Sequence, residues 1–278
     1  MPRIKINGVD LYYEAHGEAG GETIVFAHGL LWSGWLFARQ VAALAGRYRC
    51  VTFDFRGHGR SAVTRNGYDM ESLAEDAAAL IEILGCSPCH FLGLSMGGFI
   101  GMRLAIRRPE LLRSLLLLNT SADPEPEENL GRYRLLALVN RCLGTRAVAR
   151  PVMEILFAKK FLADPARAAL CHECRRRMIA NHRIGVARAV KGVITRRGIY
   201  DQLDRIAVPT LILAGSQDRA TVPAKSERIH ARIAGSTLRV ISGAGHTSTI
   251  EEPAAVNQAI EEFLAGLGQG QGDERGRL

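Results

Sequence analysis

The sequence predicts an α/β protein with a doubly wound, mostly parallel sheet, and three observations predict it. Short apolar runs such as Thr23-Ile24-Val25-Phe26-Ala27 and Leu115-Leu116-Leu117-Leu118 alternate with stretches of helical period, as buried parallel strands and their crossover helices do. One run, Cys89 to Leu94, ends in Gly93-Leu94-Ser95-Met96-Gly97-Gly98 and passes directly into an amphipathic pattern on Phe99, Met102, Leu104, Ala105 and Ile106. From Leu130 to about Leu203 the helical period continues with almost no strand signal. A chain of 278 residues suits one large core with a modest insert.

In order, Ile4 to Glu14 reads as a hairpin turning at Asn7-Gly8. Thr23–Ala27 is a strand buried on both faces, and it runs into His28-Gly29-Leu30-Leu31. Such a loop aims the Leu30 N–H at a developing oxyanion, while His28 orders the loop as a neutral imidazole. Trp32 lines a pocket mouth or packs on the sheet, with Trp35 and Phe37 beyond it. Gln40–Leu44 is helical, and Cys50–Phe53 is the next strand. Asp54-Phe55-Arg56-Gly57-His58-Gly59-Arg60-Ser61 is a tight loop braced by its own charges, with Phe55 a possible pocket residue. Met70–Leu84 is a helix capped by Asp69 and ended by Gly85. After the Ser95 strand and helix, Leu111–Asn119 gives another buried strand. Ser121 to Glu128 is acidic and proline-rich and breaks the rhythm. Strand character returns at Pro209–Ala214 and at Thr237–Ile241, and a helix closes the chain at Leu267. The expected division is a core of residues 1–122 and 204–267, a helical cap of residues 123–203 over the sheet's C-terminal edge, and a flexible tail of residues 268–278.

Ser95 sits between Gly93 and Gly97, the spacing of a nucleophile on a sharp strand-to-helix turn, where flanking side chains have no room. Asp218 follows the strand ending in Gly215, and His246 follows the last strand on a glycine-rich loop. The three emerge at one sheet edge in the order Ser, Asp, His. The chemistry needs each of them. His246 takes the Ser95 proton and returns it to the leaving oxygen. Asp218 fixes the His246 tautomer, and the Leu30 and Met96 N–H groups hold the oxyanion.

The set His28-Gly29, Asp54-x-Arg56-Gly57-His58-Gly59-x-Ser61, Gly93-x-Ser95-x-Gly97-Gly98, Gly215-x-x-Asp218 and Gly245-His246 resembles the α/β-hydrolase superfamily, over all but the tail. Within it the chain is most similar to serine esterases, to 3-oxoadipate enol-lactonase-like hydrolases and to cofactor-free serine haloperoxidases. The resemblance implies an eight-stranded sheet with a helical cap inserted after the sixth strand. It also implies a small-molecule ester or lactone as substrate, cleaved through an acyl-enzyme. Dehalogenases and epoxide hydrolases of this fold carry Asp where this chain has Ser95. Two other readings stay open: a carbon–carbon bond hydrolase of ring-cleavage products, and a non-catalytic small-ligand receptor.

Composition narrows the rest. The formal net charge is +8, but the arginines are dispersed and aromatics are 6%, so no nucleic-acid platform is expected. A basic insert favours a carboxylate-bearing lactone or keto acid through steering or an Arg clamp, and the same arginines serve equally as solvated surface. Cys86/Cys89 and Cys171/Cys174 are each spaced Cys-x-x-Cys, yet they read as separate thiols, and neither metal nor organic cofactor is expected. The start lacks a secretory apolar stretch, no transmembrane run is present, and a cytoplasmic location is expected.

Overall fold

The computed structural model of the chain describes residues 2–18 and 20–274, with side chains as far as Leu267. The strands are β1 (Arg3–Ile6), β2 (Val9–His16), β3 (Thr23–Ala27), β4 (Arg49–Phe53), β5 (Cys89–Leu94), β6 (Leu112–Leu118), β7 (Thr210–Gly215) and β8 (Thr237–Ile241). Among the described residues they form one eight-stranded sheet in the order β1-β2-β4-β3-β5-β6-β7-β8. β1 and β2 are antiparallel, as are β2 and β4, and every later pairing is parallel. The hairpin turns on Asn7 (φ 47°) and Gly8 (φ 77°), both in the left-handed region that a two-residue turn requires.

The apolar runs are continuous because each strand feeds two cores. In β3, Val25 and Ala27 face one core and Ile24 and Phe26 the other. Likewise Leu115 and Leu117 of β6 face the first, and Leu116 and Leu118 the second. Side chains alternate across a strand, so only a strand covered on both faces keeps every residue apolar. The first core lies under α2 (Met70–Ile83), α3 (Met96–Arg107) and α9 (Pro223–Arg232). The second lies under α1 (Ala38–Leu44) and α11 (Pro253–Glu274), which follows the short α10 (Ser248–Glu251). Asp69 caps α2 as expected: its Oδ1 accepts from Ser72 N at 2.8 Å.

Between β6 and β7 the chain is helical: α4 (Glu127–Leu143), α5 (Thr145–Leu156), α6 (Lys159–Ala163), α7 (Ala168–Ile179) and α8 (Arg183–Ile194). This segment joins the second core through Val148, Met153, Phe157 and Phe161. The closing helix runs to Glu274, past the expected Leu267, and the side chains of the expected tail lie outside the described residues.

The loop after β4 is braced differently from expectation. Arg56 does not pair with Asp54. It grips Asp76 of α2 with Nε at 2.8 Å and Nη2 at 2.7 Å, while Asp54 accepts the Gly34 and Arg60 N–H groups at 2.7 and 2.8 Å. The loop is thus tied to α2 on one side and to the segment after β3 on the other. All six thiols are free, and burial pushes those of Cys50 and Cys174 up to about 12, so they stay protonated at neutral pH. No described helix is long and apolar enough to cross a membrane.

Candidate active site

Ser95 stands at the end of β5 with φ 55° and ψ −111°, a conformation that side-chain-bearing residues rarely adopt. Its N–H donates to Leu118 O at 2.9 Å, and its carbonyl accepts the Gly98 N–H, the Phe99 N–H and the Thr120 hydroxyl at 2.9, 3.0 and 2.8 Å. The turn is held from four sides. The flanking glycines are required by space: a Cβ on Gly93 would lie 2.3 Å from Gly97 O, and one on Gly97 would lie 1.9 Å from Ala27 O. Helix α3 starts directly beneath, with its positive end toward the hydroxyl.

Asp218 follows β7 and is buried. Its Oδ2 accepts His246 Nδ1 at 2.9 Å, Asn119 Nδ2 at 2.9 Å and Thr221 Oγ1 at 2.8 Å; its Oδ1 accepts the Ala220 and Thr221 N–H groups at 2.8 and 2.9 Å. Burial opposes its charge, but the charge and hydrogen bond of His246, the Thr221 N–H and Asn119 outweigh burial and hold the carboxyl below its ordinary value. An ionised carboxylate has only acceptors, so His246 Nδ1 is the donor in this bond, and in the neutral ring Nε2 is the nitrogen left with a lone pair.

Ser95, Met96, Leu30, Trp32 and His246 all line one cavity of about 130 Å³. Among the described residues Ser95 Oγ makes no hydrogen bond, and the ring of His246 bonds to Asp218 and Thr221 but not to Ser95. Neither the Leu30 nor the Met96 N–H is engaged among the described backbone bonds. The Leu30 loop is shaped by His28, whose Nδ1 donates to Gly29 O at 2.7 Å while Nε2 accepts Phe55 N at 3.0 Å. Burial, reinforced by His58, holds His28 well below its ordinary value, which keeps it neutral.

Phe55 departs from the sequence expectation. It is fully buried in the first core, edge-on to His28 at 4.9 Å and to Phe53 at 4.8 Å, and lies outside the cavity lining. As the second residue past β4 it continues the alternation that sends Val51 and Phe53 into the first core. Trp32 does line the cavity, and it also stands edge-on to Phe157 of the helical segment at 6.1 Å.

Two residues of the site escape sequence reasoning. Asn119, at φ 47° beyond β6, donates to Asp218 and, at 3.1 Å, to Gly245 O, and accepts the Ser248 hydroxyl at 2.6 Å. Glu251 is buried behind the His246 loop and accepts the Thr247 N–H at 3.2 Å, the Ala158 N–H at 2.9 Å and the Gly245 N–H. Burial raises its carboxyl to about 7 against those hydrogen bonds, with Asp218 adding to the rise. Asn119 leaves only the signal of a polar residue after a strand, and Glu251 that of one more acidic residue in a short helix, and neither stands out from its many counterparts.

The remaining wall comes from the helical segment: Tyr133, Leu136, Val148, Val152, Val190 and neighbours, with one charged pair, Glu125 and Arg196. Arg196 is the only arginine of the segment in the cavity lining, and Glu125 meets it at 2.8 Å.

Comparison with known proteins agrees with this architecture. The family model for the alpha/beta hydrolase fold matches residues 22–253. The chain is 29% identical to 3-oxoadipate enol-lactonase 2 of Acinetobacter baylyi, over 92% of this chain and 93% of that one. It is 30% identical to RutD of Variovorax paradoxus, provisionally assigned as a carbamate hydrolase, over 92% of this chain and 96% of that one. Among solved structures, a thermophilic esterase from Thermogutta terrifontis is 29% identical with a TM-score of 0.89, over 96% of this chain and 99% of that one.

Proposed function

The chain belongs to the α/β hydrolase fold family, and from that premise we propose that it is a serine hydrolase cleaving a carboxylic ester or lactone of a small molecule. Ser95 Oγ attacks the acyl carbon as His246 Nε2 takes its proton. The Leu30 and Met96 N–H groups receive the charge on the former carbonyl oxygen. Collapse breaks the ester C–O bond, and the leaving oxygen takes the proton from His246. Water then attacks the acyl-Ser95 ester by the same proton route, releasing the acid. Asp218 stays ionised throughout, orients the ring and balances the imidazolium. Residues 123–203 act as the cap that bounds the acyl pocket.

The observation that carries this reading is the 2.9 Å bond from His246 to a buried, five-fold hydrogen-bonded Asp218, with His246 in the same cavity as a backbone-strained Ser95. A receptor needs the cavity but has no use for a carboxylate held ionised behind a histidine. The likeness to a carbamate hydrolase favours one second reading: the same attack on a carbamate carbonyl, with nitrogen as the leaving group. Labelling by a fluorophosphonate tests the nucleophile. Wild type should label and hydrolyse p-nitrophenyl acetate, and Ser95→Ala should lose labelling and on the order of 10⁴-fold or more in kcat. Equal labelling of the two would sink the proposal. A side-by-side assay of an ester, a lactone and a carbamate ranks the substrate classes.

A further inference from the structure

Building on that hydrolase reading, we propose that the Glu125–Arg196 pair makes the acyl pocket selective for neutral substrates and rejects carboxylate-bearing ones. The pair sits in the cavity wall opposite the sheet edge, with its two side chains only 8% and 4% exposed. Arg196 Nη1 donates to Glu125 Oε2 at 2.8 Å and to Val193 O at 2.9 Å, and Nε donates to Asp123 O at 3.1 Å. Its guanidinium lies 4.3 Å from the centroid of the Phe99 ring. Glu125 Oε1 accepts Asn129 Nδ2 at 3.0 Å. Each charge already has its partner, and the pair adds no net charge to the pocket.

An entering carboxylate therefore meets two penalties. It loses its hydration among Leu136, Val148, Val152 and Val190, which return no hydrogen bonds. The one cation within reach is held by Glu125, whose own negative charge repels the newcomer. Winning Arg196 away would leave Glu125 buried without its partner, a costlier state than the starting one. A neutral acyl chain meets neither penalty and gains from apolar contact. The basic composition of the segment is thus misleading about the pocket: none of its other arginines or lysines reaches the lining.

The test compares p-nitrophenyl butyrate with p-nitrophenyl hemisuccinate, which share a leaving group and a chain length but differ by one negative charge. Wild type should favour the butyrate in kcat/KM by about 100-fold or more, a charge being far harder to bury than a methyl group. Glu125→Gln leaves Arg196 without its counter-charge and should shrink that ratio about tenfold or more, mainly through a lower KM for the hemisuccinate. Glu125→Leu/Arg196→Met, with both charges replaced by apolar groups, should keep the neutral preference. A wild-type ratio near one, a ratio unmoved by Glu125→Gln, or a hemisuccinate preference in the double variant overturns the proposal. A binding arm separates this outcome from failure of the hydrolase reading. Ser95→Ala turns over neither ester, and quenching of Trp32 fluorescence reports their affinities directly. Tighter butyrate binding supports the selectivity whether or not wild type proves to be a hydrolase, and equal binding overturns it.

Discussion

The two sides of the cavity are built by opposite means. The sheet edge holds Ser95 by a strained turn with no room for side chains at Gly93 and Gly97, and Asp218 by five donors, two of them backbone N–H groups and three of them the side chains of His246, Asn119 and Thr221. The helical side contributes side chains, mostly apolar, with the polar Tyr133 and Asn140 and one self-cancelling charged pair among them. Charge divides the same way. Residues 123–203 hold 16 Lys and Arg against 8 Asp and Glu, the remainder 20 against 20, so the whole net charge of +8 resides in the helical segment. Yet the segment turns a neutral surface toward the cavity. Its positive charge is an outer property, and the pocket's selectivity an inner one, set separately. The proposed chemistry rests on a strained turn and a buried hydrogen-bond network, whereas the proposed selectivity rests on the side chains that the helical segment turns inward.

The contrast can be broken at four points. The largest effect belongs to the sheet side: Asp218→Asn reverses the hydrogen bond to His246 Nδ1 and should lower kcat/KM about 10⁴-fold with circular dichroism unchanged. A loss under tenfold would deny the sheet side its rigid role. Next is Glu251. Its folded value of about 7 lies above the unfolded carboxylate's, so its contribution to stability is fully present below the unfolded value and is lost as pH rises toward 7. Denaturant unfolding should show wild type losing about 2–3 kcal/mol more than Glu251→Gln between pH 5 and pH 8. Parallel curves would mean that the carboxyl titrates normally. Asn119→Ala follows, removing one donor to Asp218 and the acceptor for Ser248; roughly 1–3 kcal/mol of stability and about tenfold in kcat should go with it. The smallest effect concerns the outer charge. Raising salt from about 50 to 500 mM should leave kcat/KM for a neutral ester within about twofold, while an anionic ester loses its steering. A large salt effect on the neutral ester would show that the outer charge reaches the chemistry.

Much of the sheet side is legible in sequence because its causes are local. A strand buried on both faces must be apolar throughout, and Ser95 needs glycine two residues away on each side; both demands fall on neighbouring letters. What is not legible is the choice of partner across the fold. Arg56 turns to Asp76, 20 residues on, and not to the adjacent Asp54. Asn119 reaches Asp218, 99 residues away, only because β6 and β7 are neighbours in the sheet. Arg196 is one of many arginines until the fold brings Glu125 to it. Phe55 reads as a pocket residue because it follows a strand, as Ser95 and Asp218 do, but the alternation of β4 carries it into the core.

The Ala158 N–H bound by Glu251 has a practical consequence for engineering. Glu251 stitches the junction between α5 and α6 to the loop bearing His246, and Thr247 of that loop adds two direct bonds, its N–H and its hydroxyl each donating to Leu156 O at 3.0 Å. A chimera that transplants helices from a relative with different tastes keeps the His246 loop in place when its graft offers a carbonyl at position 156 and a main-chain amide at position 158. Library designers gain a concrete rule: randomise the apolar wall of α4, α5 and α8, and leave the seam at position 158 alone.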